Sequence, residues 1–334
     1  MPDQTILPAR GVYRRMADGL PLSDWVRGHA DIGDPAVAAF VKHCQDRFQD
    51  HLLGVIFYGS CLRAESPPAD AVRDFFVLVD RYADCQVPPL HLLLSHLLPP
   101  NAYYMELSGE EDETYRTKYS LCSMRLFERQ TSLRASDTYL FGRMGQKVAI
   151  VYAKNQEVER RIQRSLGLAV CTVVHCVLPL LPERFTSEDC VKRYLLWSYA
   201  SEPRPEGPDR IMRIYHRDRP FYDEVYGSAL KELAAHRPFI RYDEQSELFE
   251  CKLRSHYRKI RLLGLRILRQ KSRVRQLLRM LKWALLFDNW VDYVVAKLER
   301  HTGMEIRVTP KIRRHPFLFG WPEFLRVLRA KVLR

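Results

Sequence analysis

The chain has 334 residues, 46% of them hydrophobic and 28% charged, with a formal net charge of +13. That length suits two domains or one domain with a large appendage, and the apolar share supplies a substantial core, which excludes a globally disordered chain. Twelve Lys or Arg and no Asp or Glu lie between Lys252 and Phe287, so the positive balance is local and points to one anionic surface, either membrane or nucleic acid.

Residues 1–50 read as helical and mixed, with apolar positions at helical spacing over Ala36–Phe48. Leu52–Tyr58 is a short apolar run closed by Gly59-Ser60 and reads as a buried strand. Cys61–Arg73, with Pro67-Pro68, reads as a loop. Asp74-Phe75-Phe76-Val77-Leu78-Val79-Asp80 is a second strand between two acids. The pattern predicts further strands at Ala102–Leu107, Tyr119–Arg125 and Val148–Tyr152, and helices at Pro89–Leu98 and within Glu128–Tyr139. Beyond Asn155 the periodicity turns helical. Glu157–Leu178 is one helix, Thr186-Ser187-Glu188-Asp189 caps the next, and Pro220–Ala235 is another. Ser201–Arg210 is a Pro/Gly-rich loop, Arg241–Ser246 a polar hinge, and Arg307–Arg334 a Pro-punctuated loop with a short basic helix. The expected organisation is α+β. A domain of mixed sheet and helices covers residues 1–154, a helical domain 155–250 and a basic C-terminal segment 251–334.

Eight cysteines are scattered, none in a Cys-x-x-Cys pair, so free buried thiols and a reducing compartment are expected rather than a zinc site. The N-terminal residues carry no signal-peptide pattern. The longest apolar run, Leu166–Leu181, is broken by His175 and Pro179, so a soluble or peripheral protein is expected. His175, in an apolar helix, reads as a core histidine rather than a catalytic one.

The chemistry concentrates at the strand–Gly59-Ser60–loop–Asp74 arrangement. A glycine turn lets backbone N–H groups approach a phosphate. A carboxylate on the following strand can hold Mg²⁺, which bridges phosphate oxygens during transfer. Nucleotidyltransferases of the polymerase-beta type use such a turn, with two acids on one strand face. Here the second position is Phe76, and Asp80 lies about 20 Å further along an extended strand, so it reads as a surface acid. A second acid is then expected from a neighbouring strand, with Glu106 the choice and a solvated strand end its alternative.

Seven blocks in order make the chain similar to the mitochondrial-type phosphatidate cytidylyltransferases, the soluble CDP-diacylglycerol synthases. Phe57-Tyr58-Gly59-Ser60 resembles the family's aromatic-Tyr-Gly-Ser turn. Asp74–Asp80 resembles its Asp-led strand, which also lacks the second acid at the place of Phe76. Lys118-Tyr119 resembles its Lys-Tyr-Gly-Val strand, with Ser120 in place of Gly. Tyr139–Arg143, Leu181–Asp189, Trp197-Ser198-Tyr199 with Arg204, and Phe221–Leu230 complete the series over about residues 50–232. The chain departs from the pattern at Cys61-Leu62-Arg63, in its shorter loop to Asp74, and at Gln146, where the family has Lys. The family's Asp after Ser-Tyr corresponds to Glu202.

The resemblance implies a polymerase-beta-type fold and transfer of CMP from CTP to phosphatidic acid, with Mg²⁺ as cofactor. Asp74 is then the metal-binding carboxylate, joined by Glu106. Gly59 and Ser60 cradle the triphosphate, Lys118 and Arg143 neutralise phosphate charge, and Tyr199 and Arg204 contact the ligands. The phosphatidate oxygen is already anionic, so repulsion between anions, not proton removal, is the problem such a site has to solve.

In the basic segment, Leu253, Tyr257, Ile260, Gly264, Ile267, Val274, Leu278, Leu281 and Leu285 recur at helical spacing among Arg and Lys. This is the composition of an interfacial helix on anionic lipid, with Trp283 and Phe287 at the headgroup boundary. An RNA-binding or partner-binding helix is the alternative. No RNA-binding module signature accompanies it, so no nucleic acid partner is expected. The expected location is the bacterial cytoplasm, peripheral on the inner membrane, or the mitochondrial inner membrane in a eukaryote. A transferase with an RNA or protein acceptor, and a non-catalytic assembly factor that binds nucleotide or membrane, are the competing functions.

Overall fold

A computed structural model of the protein describes residues 10–26, 33–64, 67–68, 71–82, 89–109, 113–202 and 207–286, with isolated positions and one short helix beyond. The chain groups into two compact units, Met1–Leu278 and Arg279–Arg334.

The first unit is α+β. Helices α1 (Arg10–Gly19), α2 (Ser23–Val26) and α3 (Pro35–Phe48) precede strands β1 (Leu52–Tyr58) and β2 (Arg73–Val79). Then come α4 (Pro89–Leu97), β3 (Asn101–Ser108), β4 (Thr114–Ser123), α5 (Met124–Thr131), α6 (Phe141–Met144) and β5 (Ala149–Ala153). These strands form one mixed sheet in the order β3-β4-β2-β1-β5. β2 and β4 run parallel and the other neighbours antiparallel.

The two sheet faces are buried for different reasons. On one, Phe40 of α3 stacks on Phe75 at 4.2 Å between ring centres, within a cluster that includes Val55, Phe57, Val77 and Leu121. Pro at the first turn and the Asp34 carboxylate, which accepts from Ala36 N–H at 3.0 Å, start α3. The other face, carrying Ile56, Phe76, Leu78 and Cys122, is covered by the long helix α7 (Gln156–Val177), with Ile162 and Leu166 in that core. Segment Gln156–Leu180 is long and apolar enough to cross a bilayer, yet its most apolar window is 83% buried within the protein.

Strand β6 (Arg184–Phe185) leads to α8 (Ser187–Ala200), α9 (Pro208–Arg217) and α10 (Arg219–His236). Thr186 and Asp189 form the reciprocal cap expected of Thr-x-x-acid at the start of α8. The segment Arg241–Ser246, expected as a hinge, belongs instead to a hairpin of β7 (Ile240–Asp243) and β8 (Leu248–Cys251), joined by β6 in a second sheet. Its strands are four residues each, too short for alternation to register, but Ile240, Phe249 and Cys251 all face the core. The expected strand Tyr119–Arg125 ends earlier, because the Ser123 hydroxyl accepts from Leu126 N–H and starts α5.

Helix α11 (Ser255–Leu286) follows β8. In the second unit the Glu299 carboxylate accepts from Ile306 N–H at 2.8 Å, and Thr309 caps the short helix α12 (Pro310–Arg314). Seven of the eight cysteines are free and buried; Cys85 lies outside the described residues.

Candidate active site

β1 delivers its last residue, Tyr58, opposite Asp74 near the start of β2, and β2 delivers Asp74 opposite Lys118 on β4. Directly opposed residues on neighbouring strands point to the same face, with backbones about 4.8 Å apart. Gly59 follows at once with φ +97, a conformation that side-chain-bearing residues rarely adopt. A β-carbon on Gly59 would stand 3.1 Å from Asp74 Oδ2, so the carboxylate lies against the glycine turn. The chain then makes a short turn in which Arg63 N–H donates to Ser60 O and Ala64 N–H to Cys61 O. The exposed Ser60 begins that turn, and among the described residues its bonds leave the amides of Ser60, Cys61 and Leu62 outside the turn. Lys118 is half-buried, and its side chain forms no hydrogen bond or ion pair among the described residues. Four of the sequence-expected residues, Gly59, Ser60, Asp74 and Lys118, thus meet at one end of the sheet.

Arg143 approaches from α6. Its guanidinium spans the Glu202 carboxylate with bonds of 2.6 and 2.9 Å, donates to Tyr139 O at 3.0 Å, and stacks 3.9 Å over the Tyr139 ring. Burial disfavours its charge, but Glu202, Tyr139 and Tyr58 more than offset this and hold it above the usual arginine range. Tyr139 in turn meets Phe76 edge-on, and Phe76 packs on Tyr58. A continuous chain of side chains therefore joins Arg143 to the Asp74 end of the sheet.

Sequence reasoning missed a second buried group. Arg63, noted only as a departure, donates to Asp218 at 2.5 Å and to Gln146 Oε1 at 2.8 Å. Burial opposes its charge, while Tyr222 and Asp218 support it, and its pKa is raised on balance. Gln146 and Tyr194 both bond Gly142 O, and Tyr226 bonds Gly145 O, which fixes α6 against α8 and α10. Tyr199 lies half-buried on α8 and contributes to the electrostatics of Arg63. Arg73 is tied into the fold by Asp34 at 3.0 Å and by Ala71 O at 2.9 Å.

Glu106 is placed elsewhere. It sits on edge strand β3 opposite Arg116, which pairs with it at 3.3 Å, and Tyr104 donates to it at 2.8 Å. Two strand spacings and two residues separate it from Asp74, about 12 Å between backbones. The exposed ion pair is the solvated strand-end arrangement, so Glu106 is not brought beside Asp74. Asp80 is exposed past the end of β2, 3.7 Å from Arg81. Arg204 lies outside the described residues. Among the described residues, no three His, Cys, Asp or Glu side chains gather as a metal cluster. His175 is a core residue: Nδ1 lies 3.1 Å from the Tyr13 hydroxyl, and burial, reinforced by Arg261, lowers its pKa to about 3.

Helix α11 turns several of its arginines inward. Arg258 donates to Pro179 O and Leu181 O, Arg273 to Ala200 O, and Arg275 to Asp137 at 2.7 Å. Ser272 accepts from Thr138 N–H. Leu253 and Tyr257, expected on the interfacial face, pack instead on the core with Leu265 and Leu268. Ile260, Leu263, Ile267, Val274, Leu277 and Leu278 are the outward side chains, each at least 42% exposed. Lys259, Arg266 and Lys271 are exposed around them. The side chain of Trp283, and Phe287 altogether, lie outside the described residues.

No protein-family model matches the sequence, and no curated protein matches it.

Proposed function

We propose that the protein is a nucleotidyltransferase of the polymerase-beta type that transfers CMP from CTP to phosphatidic acid at a membrane surface, giving CDP-diacylglycerol and pyrophosphate. The observation that carries this reading is the meeting of the positive-φ Gly59 turn, the Asp74 carboxylate and the half-buried Lys118 at one sheet end. A phosphatidate oxygen forms a bond to the α-phosphorus of CTP while the bond from that phosphorus to the β-phosphate oxygen breaks. Lys118 supplies a positive charge against the phosphates and the Gly59-Ser60 turn supplies N–H groups. Asp74 has the chemistry to hold Mg²⁺, which would offset charge on the triphosphate. Arg143, already committed to Glu202, acts on this reading as a rigid support for the Tyr139–Phe76–Tyr58 stack.

The outward face of α11 supports the membrane part. Exposed aliphatic side chains flanked by Lys and Arg, with no acid from Lys252 to Phe287, fit an anionic bilayer. One observation favours a second reading. Glu106 is engaged by Arg116, which leaves Asp74 without that second acid and suits a non-catalytic factor that binds nucleotide and membrane. Pyrophosphate release separates the two. Purified protein with Mg²⁺ and phosphatidate vesicles should release pyrophosphate with CTP in preference to the other nucleoside triphosphates. Nucleotide binding without any release supports the second reading, and release that requires RNA or protein in place of lipid identifies a different acceptor.

A further inference from the structure

Between α7, the turn at 132–135 and the inner side of α11 lies a cavity of about 370 Å³, within the range of small-ligand sites. Leu133, Phe141, Leu265 and Leu268 make much of its wall. Among the described residues its lining includes no acid, its one permanently charged residue is Arg261, and the buried Arg261 Nε has no hydrogen-bond partner. A buried guanidinium N–H without an acceptor is costly, and an anionic oxygen is the acceptor that relieves it best. The hydroxyl and imidazole groups of the wall are already engaged. Thr172 donates to Thr131 O, Ser132 donates to Arg129 O, and His175 faces Tyr13.

Gly264 is the second observation. It lines the cavity, it is exposed, and a β-carbon there would meet nothing within 4 Å. On the helix it sits one turn from both Ile260 and Ile267 of the outward aliphatic row. The missing side chain leaves the cavity open beside that row, so an alkyl chain can pass from an apolar surface to the interior.

We infer that this cavity binds a single-chain amphiphilic anion, with its head on Arg261 and its alkyl chain against Leu133, Phe141, Leu265 and Leu268. A fatty carboxylate and a lipid phosphomonoester share that chemistry. The site is separate from Asp74 and does not depend on nucleotidyl transfer.

The test is calorimetry with monomeric decanoate, decyl phosphate and, as the uncharged control, decanol, all below micelle formation. One-to-one binding of at least one anion is expected, and the tighter of the two identifies the natural head group. Arg261→Met should weaken anion binding about tenfold or more while leaving decanol nearly unchanged. Gly264→Leu should weaken anion and decanol alike by blocking the opening, and it keeps the test decidable if Arg261→Met fails to fold. Asp74→Asn should bind as the unaltered protein does. Absence of one-to-one binding of either anion below about millimolar overturns the assignment. So does a Gly264→Leu protein that binds like the original, because the alkyl chain would then lie on the outer face of α11.

Discussion

The Asp74 carboxylate lies against Gly59, so closely that a β-carbon on the glycine would stand 3.1 Å from Oδ2, and Gly59 holds φ +97 in doing so. Gly59→Ala therefore meets both backbone strain and a displaced carboxylate. It should cost about 1–3 kcal/mol of stability and lower pyrophosphate release well beyond that loss. Urea unfolding and initial rates on the same preparation check the pair of effects.

Lys118 stands opposite Asp74 on the parallel strand, half-buried. Lys118→Met keeps the aliphatic stem and removes the charge. Stability should change by no more than about 1 kcal/mol. Turnover should fall at least about a hundredfold, because a charge aimed at phosphate is worth several kcal/mol in such a site. Unfolding midpoints and kcat measured in parallel decide it; equal activity in the two proteins would remove Lys118 from the chemistry.

The Arg143–Glu202 pair is buried on both sides, with side chains 9% and 11% exposed. Glu202→Gln leaves the guanidinium without its counter-charge and should cost about 3–5 kcal/mol. Replacing both residues, Arg143→Met with Glu202→Leu, should recover much of that loss, since no charge then remains buried. A double-mutant cycle in urea measures the coupling.

His175 makes a pH prediction. Burial, with the positive charge of Arg261 adding to it, brings the imidazole down to about 3 in the fold. The unfolded chain takes up that proton near pH 6.5, so below this pH the unfolded state binds more protons and stability falls toward pH 3. Relative to His175→Gln, the unaltered protein should lose about 2 kcal/mol between pH 7 and pH 5. Parallel curves for the two proteins across that range would show that His175 is not buried neutral.

Much of this architecture was legible in the sequence, and the reasons are local. Leu52–Tyr58 and Asp74–Val79 are near-continuous apolar runs because both faces of the central strands are covered, and Thr186 and Asp189 carry a capping pattern that needs no tertiary context. The pairing of Asp74 with Lys118 was expected only through resemblance. It depends on parallel strands 44 residues apart (118 minus 74), a register that no short-range pattern encodes. Arg63 escaped notice because its partners Asp218 and Gln146 are distant in sequence. Glu106 was chosen as an acid on a neighbouring strand, and the register decided otherwise by setting Arg116 opposite. In α11 the periodicity was visible, and Ile260, Ile267, Val274 and Leu278 do face outward, but the inward turn of several arginines was not, because arginine side chains can reach main-chain carbonyls from a face that composition alone assigns to solvent.

The outward row of α11 predicts a defined change in lipid binding. Ile260→Glu with Ile267→Glu puts two negative charges where aliphatic side chains are 53% and 60% exposed. Flotation with phosphatidate-containing vesicles should drop sharply for this protein and remain unchanged in its thermal midpoint, because neither side chain packs on the core. Undiminished flotation would move membrane contact to another surface.

The most direct measurement is of the lipid product itself. The protein, Mg²⁺, CTP labelled at the α-phosphate and phosphatidate vesicles should yield labelled CDP-diacylglycerol, identified by mass spectrometry, and Asp74→Asn should reduce its formation at least about a thousandfold with the fold intact. Product formed equally well by the Asp74→Asn protein, or no transfer of label to lipid by the unaltered one, would contradict the assignment of Asp74 to a cytidylyl-transfer site.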